Sequence, residues 1–310
     1  GNRHGIEIAD GSQVRIGKQV VDVGAGRLVV DLSAPELIGN GACGIRISGP
    51  EAHDVVIPEA YIGYDAIRKQ ARGNGSHGIE VSEGARRVVV GSLPEEERES
   101  GVPNGCVIVA NEGDGIRIDG GEAGAAGFTT EVAVAQCWIG AAPIEDSAPI
   151  PLGNFQHGIH ILGGASGNRV GDSWQYGTNV IGCNGAGGTG FGVCVEGLGS
   201  SENLIRGNLV GAWYDSRTPL HAKPLPNRSG GILLEGASHN TIGGYTSWLQ
   251  DDLVPGRPFF PVANRGIRPQ ATEGNLIAGN ATTSGLLLRG AAWHNRVEGN
   301  CFGGDSGSAK

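Results

Sequence analysis

The sequence predicts an all-β chain wound as a right-handed parallel β-helix, with about eight three-stranded coils arranged as four two-coil repeats. Three observations carry this reading. A Gly-apolar-x-apolar tetrad recurs along the whole chain, two further short apolar runs follow each copy, and the long loops alternate in position from one coil to the next.

The first strand of each coil is the tetrad itself: Gly5-Ile6-Glu7-Ile8, Gly44-Ile45-Arg46-Ile47, Gly78-Ile79-Glu80-Val81, Gly115-Ile116-Arg117-Ile118, Gly158-Ile159-His160-Ile161, Gly192-Val193-Cys194-Val195, Gly231-Ile232-Leu233-Leu234 and Gly285-Leu286-Leu287-Leu288. With a strand period of two, the first and third apolar residues point inward and the middle residue outward. Gly and Asn bound the strands and are expected to supply the positive φ of tight corners. In odd coils the second strands include Val14-Arg15-Ile16 and Val88-Val89-Val90, and the third strands include Val107-Ile108 and Val180-Ile181. Even coils close with Tyr61-Ile62, Trp138-Ile139, Leu209-Val210 and Cys301-Phe302.

Odd coils carry their long excursion between the second and third strands, and even coils after the third. That phase defines one domain over 1–310, with repeats at about 1–73, 74–153, 154–227 and 228–310. No polar cap is visible at either end, so the expected partners are copies of the chain stacked end to end, or flanking repeats of a longer chain.

Composition narrows the function classes. The 310 residues include 57 Gly, no Met and 5% aromatics, so the core must be aliphatic. A net charge of −9 without a basic patch argues against nucleic-acid partners, and no apolar run is long enough for membrane insertion. The six cysteines show neither CxxC pairs nor zinc-finger spacing with His, so no metal and no cofactor are expected.

Segments such as Asn203-Leu204-Ile205-Arg206-Gly207-Asn208-Leu209-Val210-Gly211, Gly236–Gly244 and Gly274–Asn280 resemble the repeats of bacterial right-handed parallel β-helix proteins of the secreted and cell-surface, pectate-lyase-like kind. The resemblance implies the fold and an extracellular or cell-surface setting. It leaves activity open, because the same solenoid hosts lyases, epimerases, tailspikes and adhesins.

Several side chains stand out. Asn40, Asn111, Asn184 and Asn280 share one corner of successive odd coils and read as a structural ladder. Glu7, Arg46, Glu80 and Arg117 would alternate as an acid–base ladder on the outer face, followed by an apolar strip at Cys194, Leu233 and Leu287 that needs a cover. Cys106 and Cys137 precede third strands of consecutive coils, a spacing compatible with a disulfide. His4, His77 and His157 recur at one phase, which suits turn capping. The loop aromatics Trp174, Tyr176, Trp213, Tyr214, Tyr245 and Trp248, with His221, offer flat faces for a polysaccharide, or else cover the solenoid. Asn74, Asn227 and Asn280 open glycosylation sequons. Gln250-Asp251-Asp252 and Glu145-Asp146 are acidic loop pairs with no visible catalytic partner.

No convergent catalytic set is legible, so the leading expectation is an extracellular structural or adhesive solenoid. The alternatives are a carbohydrate-active β-helix enzyme, of lyase, hydrolase or epimerase type, and a sugar-binding module.

Overall fold

The computed structural model describes residues 2–9, 11–16, 34–91, 105–121, 128–144, 147–171, 178–214, 222–243, 275–278, 280, 284–298 and 300–302, with the backbone of two strands at Gln19–Val23 and Gly26–Val30. Three long parallel sheets run through it, and no helix occurs among the described residues. The first sheet stacks the eight tetrads in order, from Ile6–Ile8 and Ile45–Ser48 to Gly230–Glu235 and Leu286–Arg289. Its register is the one the repeat demands, with Ile6 opposite Ile45, Ile45 opposite Ile79 and Ile79 opposite Ile116. The second sheet runs from His53–Ile57 to Arg296–Glu298, with bridges from Ser12 and Arg15 extending it to the first coil. The third runs from Glu36–Leu37 to Cys301–Phe302. The chain is therefore a parallel β-helix.

Alternation explains the core. Ile45, Ile47, Ile79, Ile116, Ile118, Ile159 and Ile161 from the first sheet meet Val55, Val88 and Val132 from the second and Ile62, Ile108 and Ile139 from the third, all fully buried. A column of branched aliphatics fills a narrow triangular bore without aromatic rings, and each such side chain contributes about 1.5–3 kcal/mol of burial.

Asparagine rungs seal the corners. Between the third and first sheets Asn40, Asn74, Asn111, Asn154, Asn184, Asn227 and Asn280 form one unbroken ladder, each side-chain amide donating to the next residue's Oδ1 at 2.8–3.1 Å. The ladder thus includes even coils as well as the four odd-coil residues read from the sequence. The sequons at Asn74 and Asn227 are buried rungs, so those amides are closed to glycosylation. From the fifth coil onward the other two corners carry ladders too, Asn168–Asn203–Asn240–Asn295 and Asn179–Asn208–Asn275–Asn300.

Cys106 and Cys137 occupy the position that Asn179 continues, Cys137 donating its backbone N–H to Asn179 Oδ1 at 2.9 Å. The disulfide considered for them is not formed. Both are free thiols pointing at backbone carbonyls, Cys106 toward Ile57 at 3.3 Å and Cys137 toward Ala135 at 3.3 Å.

Glycine supplies the positive φ expected at corners such as Gly63, Gly91, Gly140, Gly171, Gly211 and Gly243, but two other positions differ. The residue entering each second-sheet strand is left-handed in every coil, yet this column reads Gln13, Asp54, Arg87, Glu131, Gly167, Glu202, His239 and His294. Among them Gln13, Glu202 and His239 each donate the backbone N–H to the next coil, to His53 O, His239 O and Trp293 O. The tetrad glycines serve close approach instead. A Cβ on Gly78 would lie 2.6 Å from Gly115 O and 2.8 Å from Asn111 Nδ2.

Loop placement decides which outer face is free. Antiparallel hairpins at Tyr64–Asp65 with Gln70–Ala71, Ala141–Ala142 with Ile150–Pro151, and Ala212–Tyr214 with Ala222–Pro224 fold from even coils onto the outside of the third sheet. They bury Val107, Val109, Val180 and Leu209 there. No such hairpin lies on the outer face of the first sheet among the described residues, and the middle positions of its first five strands, Glu7, Arg46, Glu80, Arg117 and His160, are polar.

Candidate active site

Two columns of outward residues stand on the first sheet. The register places His4, Cys43, His77, Asp114, His157 and Phe191 on successive coils just before the strand, and Glu7, Arg46, Glu80, Arg117, His160, Cys194, Leu233 and Leu287 in its middle. The first half of the middle column forms the expected ion pairs only in part. Arg46 reaches Glu7 at 3.1 Å, Glu80 at 3.7 Å and Glu83 at 2.8 Å. Arg117 turns instead to Asp119 at 2.9 Å and Asp114 at 3.7 Å, so the ladder stops at Glu80. The apolar end is covered within the chain. Cys194 and Leu233 are buried, packed with Phe191 and Leu287.

Where the columns change character, at the fourth and fifth coils, polar groups converge on Asp114. Its side chain is fully buried. Oδ1 accepts the backbone N–H of His157 at 2.9 Å, and Oδ2 lies 3.3 Å from His160 Nδ1. Beyond that ring, His160 Nε2 is 3.1 Å from Glu196 Oε2, on a side chain about half exposed. His160 is thus held between a buried carboxylate and a half-exposed one. Burial opposes the charge on Asp114, yet the hydrogen bond and charge of His160, with His157 and His77 nearby, leave its carboxyl below the ordinary range.

The three histidines of the first column are fixed as acceptors. Cys43 N donates to His4 Nδ1 at 3.3 Å, Asp114 N to His77 Nδ1 at 3.0 Å and Phe191 N to His157 Nδ1 at 3.0 Å. Each neutral ring therefore carries its proton on Nε2. This is the capping geometry that the repeated phase suggests. Burial pushes the pKa of His77 down, and burial with the charge of His160 pushes His157 down to about 4. The 3.5 Å approach of His77 Nδ1 to Asp114 Oδ2 is accordingly not an ion pair in the neutral ring. The thiol of Cys194 is pushed up by burial and by the charges of Glu196 and Asp114.

The described loop aromatics, Trp213 and Tyr214, do not join this site. Trp213 is buried under its own hairpin, with Lys223 Nζ 5.3 Å from its ring, and Tyr214 is half-buried, its phenol pushed up to about 12 by burial. Both cover the third sheet rather than offering a stacking face. Trp174, Tyr176, His221, Tyr245 and Trp248, with Glu145, Asp146 and Gln250-Asp251-Asp252, lie outside the described residues. Asp114 went unremarked in the sequence because the even coils, with Cys43, Asp114 and Phe191 before the tetrad glycine, show no recurring residue from which it departs. His160 carried a signal, since the Glu-Arg alternation of its column ends there.

No family model matches the chain, and no curated protein sequence resembles it significantly. Among solved structures, the A-module of the mannuronan C-5 epimerase AlgE6 from Azotobacter vinelandii is similar in fold, with a TM-score of 0.50 and 14% identity. The match covers 86% of this chain and 50% of that one, so the chain spans about half the length of the structure it matches. At this identity the likeness speaks for the parallel β-helix alone.

Proposed function

We propose that this β-helix is a carbohydrate-active protein that binds a polysaccharide along the outer face of its first sheet and acts on it by acid–base chemistry at His160 and Glu196. The observation that carries the reading is the buried Asp114 carboxylate behind His160. A buried charge is a poor device for stability, but it orients an imidazole and supports the proton that the ring takes up. His160 Nε2 then accepts a proton from the water that attacks the anomeric carbon while Glu196 gives one to the leaving oxygen, so that water is added across the broken glycosidic bond.

The face bears Glu7, Glu80, Glu83, Asp119, Glu196 and Glu235 against Arg46, Arg117 and Arg289. Such an acidic surface repels polyuronates, which favours a neutral or amino-bearing polysaccharide. The test is incubation with neutral, amino and uronate polymers, followed by size analysis and a reducing-end assay. Shortening of a neutral or amino polymer is expected, and wild-type protein that leaves every polymer intact would refute the reading.

A second reading, an extracellular structural or adhesive solenoid that stacks on a further copy, is favoured by the apolar surface of the coil that starts at Gly285. There Leu288, Trp293, Val297 and Phe302 are all exposed. Concentration-dependent sedimentation would support it.

A further inference from the structure

Cys194 faces His160 directly across the first sheet, one coil on, and both side chains point outward. Donor atoms of His157, His160 and Cys194 lie within 4.8 Å of one another. Metal–ligand bonds of about 2.0–2.3 Å place tetrahedral donors roughly 3.3–3.8 Å apart, so side-chain rotation of about 1 Å closes the group.

His157 is the wrong third ligand. Its Nδ1 lone pair is taken by the Phe191 amide, as those of His4 and His77 are taken by their own next-coil amides, and its Nε2 carries the proton. Glu196 is better placed. It stands two residues from Cys194 on the same face of one strand, its Oε2 is 3.1 Å from His160 Nε2, and its half-exposed carboxylate has to turn from His160 toward Cys194 Sγ to close the group.

We propose that His160 Nε2, Cys194 Sγ and the Glu196 carboxylate form a three-ligand site for a divalent transition metal of the zinc class, with the fourth position open. The metal replaces the thiol proton of Cys194 and any proton shared between His160 and Glu196. One thiolate and one carboxylate then balance the dication, leaving a neutral centre. Asp114 accepts from His160 Nδ1 and fixes the ring with Nε2 outward, the carboxylate–histidine–metal arrangement of many such sites. Phe191 and Leu233, both buried against Cys194, keep one side dry. An N,S,O donor set with an open position suits zinc or cobalt and disfavours calcium or magnesium.

The proposal goes beyond the glycan reading and does not rest on it. In the metal-loaded chain a bound water, rather than His160, would supply the base.

The experiment is titration of the reduced, chelator-treated chain with Co2+, read by absorbance and needing no glycan. One equivalent should bind with visible d–d bands and a thiolate-to-cobalt charge-transfer band in the near ultraviolet. Cys194→Ser should abolish the charge-transfer band, and His160→Ala and Glu196→Gln should weaken binding at least tenfold. Asp114→Asn should weaken it about 10- to 100-fold as an outer partner. His157→Asn, which keeps an acceptor for the Phe191 amide, should leave affinity within a few-fold. Absence of the charge-transfer band in wild type, or a loss in His157→Asn as deep as in His160→Ala, would overturn the assignment. Glycan turnover that persists in chelator would leave the acid–base reading standing while this one failed.

Discussion

Asp114 and His160 are 46 residues apart in sequence and meet at 3.3 Å, because one coil of the solenoid brings the corner of the fourth turn beneath the middle of the fifth. Neither residue is remarkable within its own strand. The stacking creates the pair, and the pair gives the first sheet's outer face a chemistry that its other rows lack.

Stability should depend on acid through His157. Its pKa lies near 4 in the folded chain against 6.5 when exposed, so between those values the unfolded chain binds more protons. Stability is then full above about pH 6.5 and falls as the pH drops toward 4, by roughly 3 kcal/mol at most. Asp114, whose carboxyl is also depressed, adds a further loss below the ordinary carboxylate pKa. Urea midpoints at pH 7, 5.5 and 4.5 should show the decline, and His157→Asn should flatten it. His77, depressed in the same direction, remains in that variant, so some slope persists. Equal slopes in the two proteins would show that His157 is not the titrating group.

Asn184 is a test of the ladders. It accepts from Asn154 at 3.0 Å, donates to Asn227 at 3.0 Å and to the Ile139 carbonyl at 3.2 Å, all inside the solenoid. Asn184→Ala strands those partners and should cost about 2–4 kcal/mol in chemical denaturation. A loss below about 0.5 kcal/mol, the scale of a surface change, would mean that the rungs are dispensable.

Gly78 tests the reason for the tetrad glycine. A methyl group there would meet Gly115 O at 2.6 Å, Ile108 Cγ2 at 2.6 Å and Asn111 Nδ2 at 2.8 Å. Gly78→Ala should destabilise by about 1–3 kcal/mol or more. Gly236→Ala is the control for φ alone, because its Cβ meets nothing within 4 Å although its φ is +65°. If Gly78→Ala costs no more than Gly236→Ala, close approach does not explain the repeat.

Much of the fold was legible because the solenoid repeats one local rule. The period-two apolar pattern and the glycine phase were enough to pair Ile45 with Ile79 and to order the first-sheet strands. The even-coil rungs Asn74, Asn154 and Asn227 were harder to see, because each lies beyond a long loop rather than directly after its strand. The site was less legible still. Spacing rules for metals and catalytic sets assume ligands a few residues apart in sequence, whereas here the relevant neighbours are one coil away, as with His160 and Cys194. Loop aromatics drew notice by composition, yet Trp213 is spent covering the third sheet.

The most direct measurement sets turnover beside stability in Asp114→Asn. Asparagine keeps an acceptor for the His157 amide but removes the charge behind His160, so the unfolding midpoint should stay close to wild type. Shortening of a neutral or amino polysaccharide should fall about 10²- to 10⁴-fold. A variant that shortens the polymer at the wild-type rate, or that loses activity only because it no longer folds, would contradict the account.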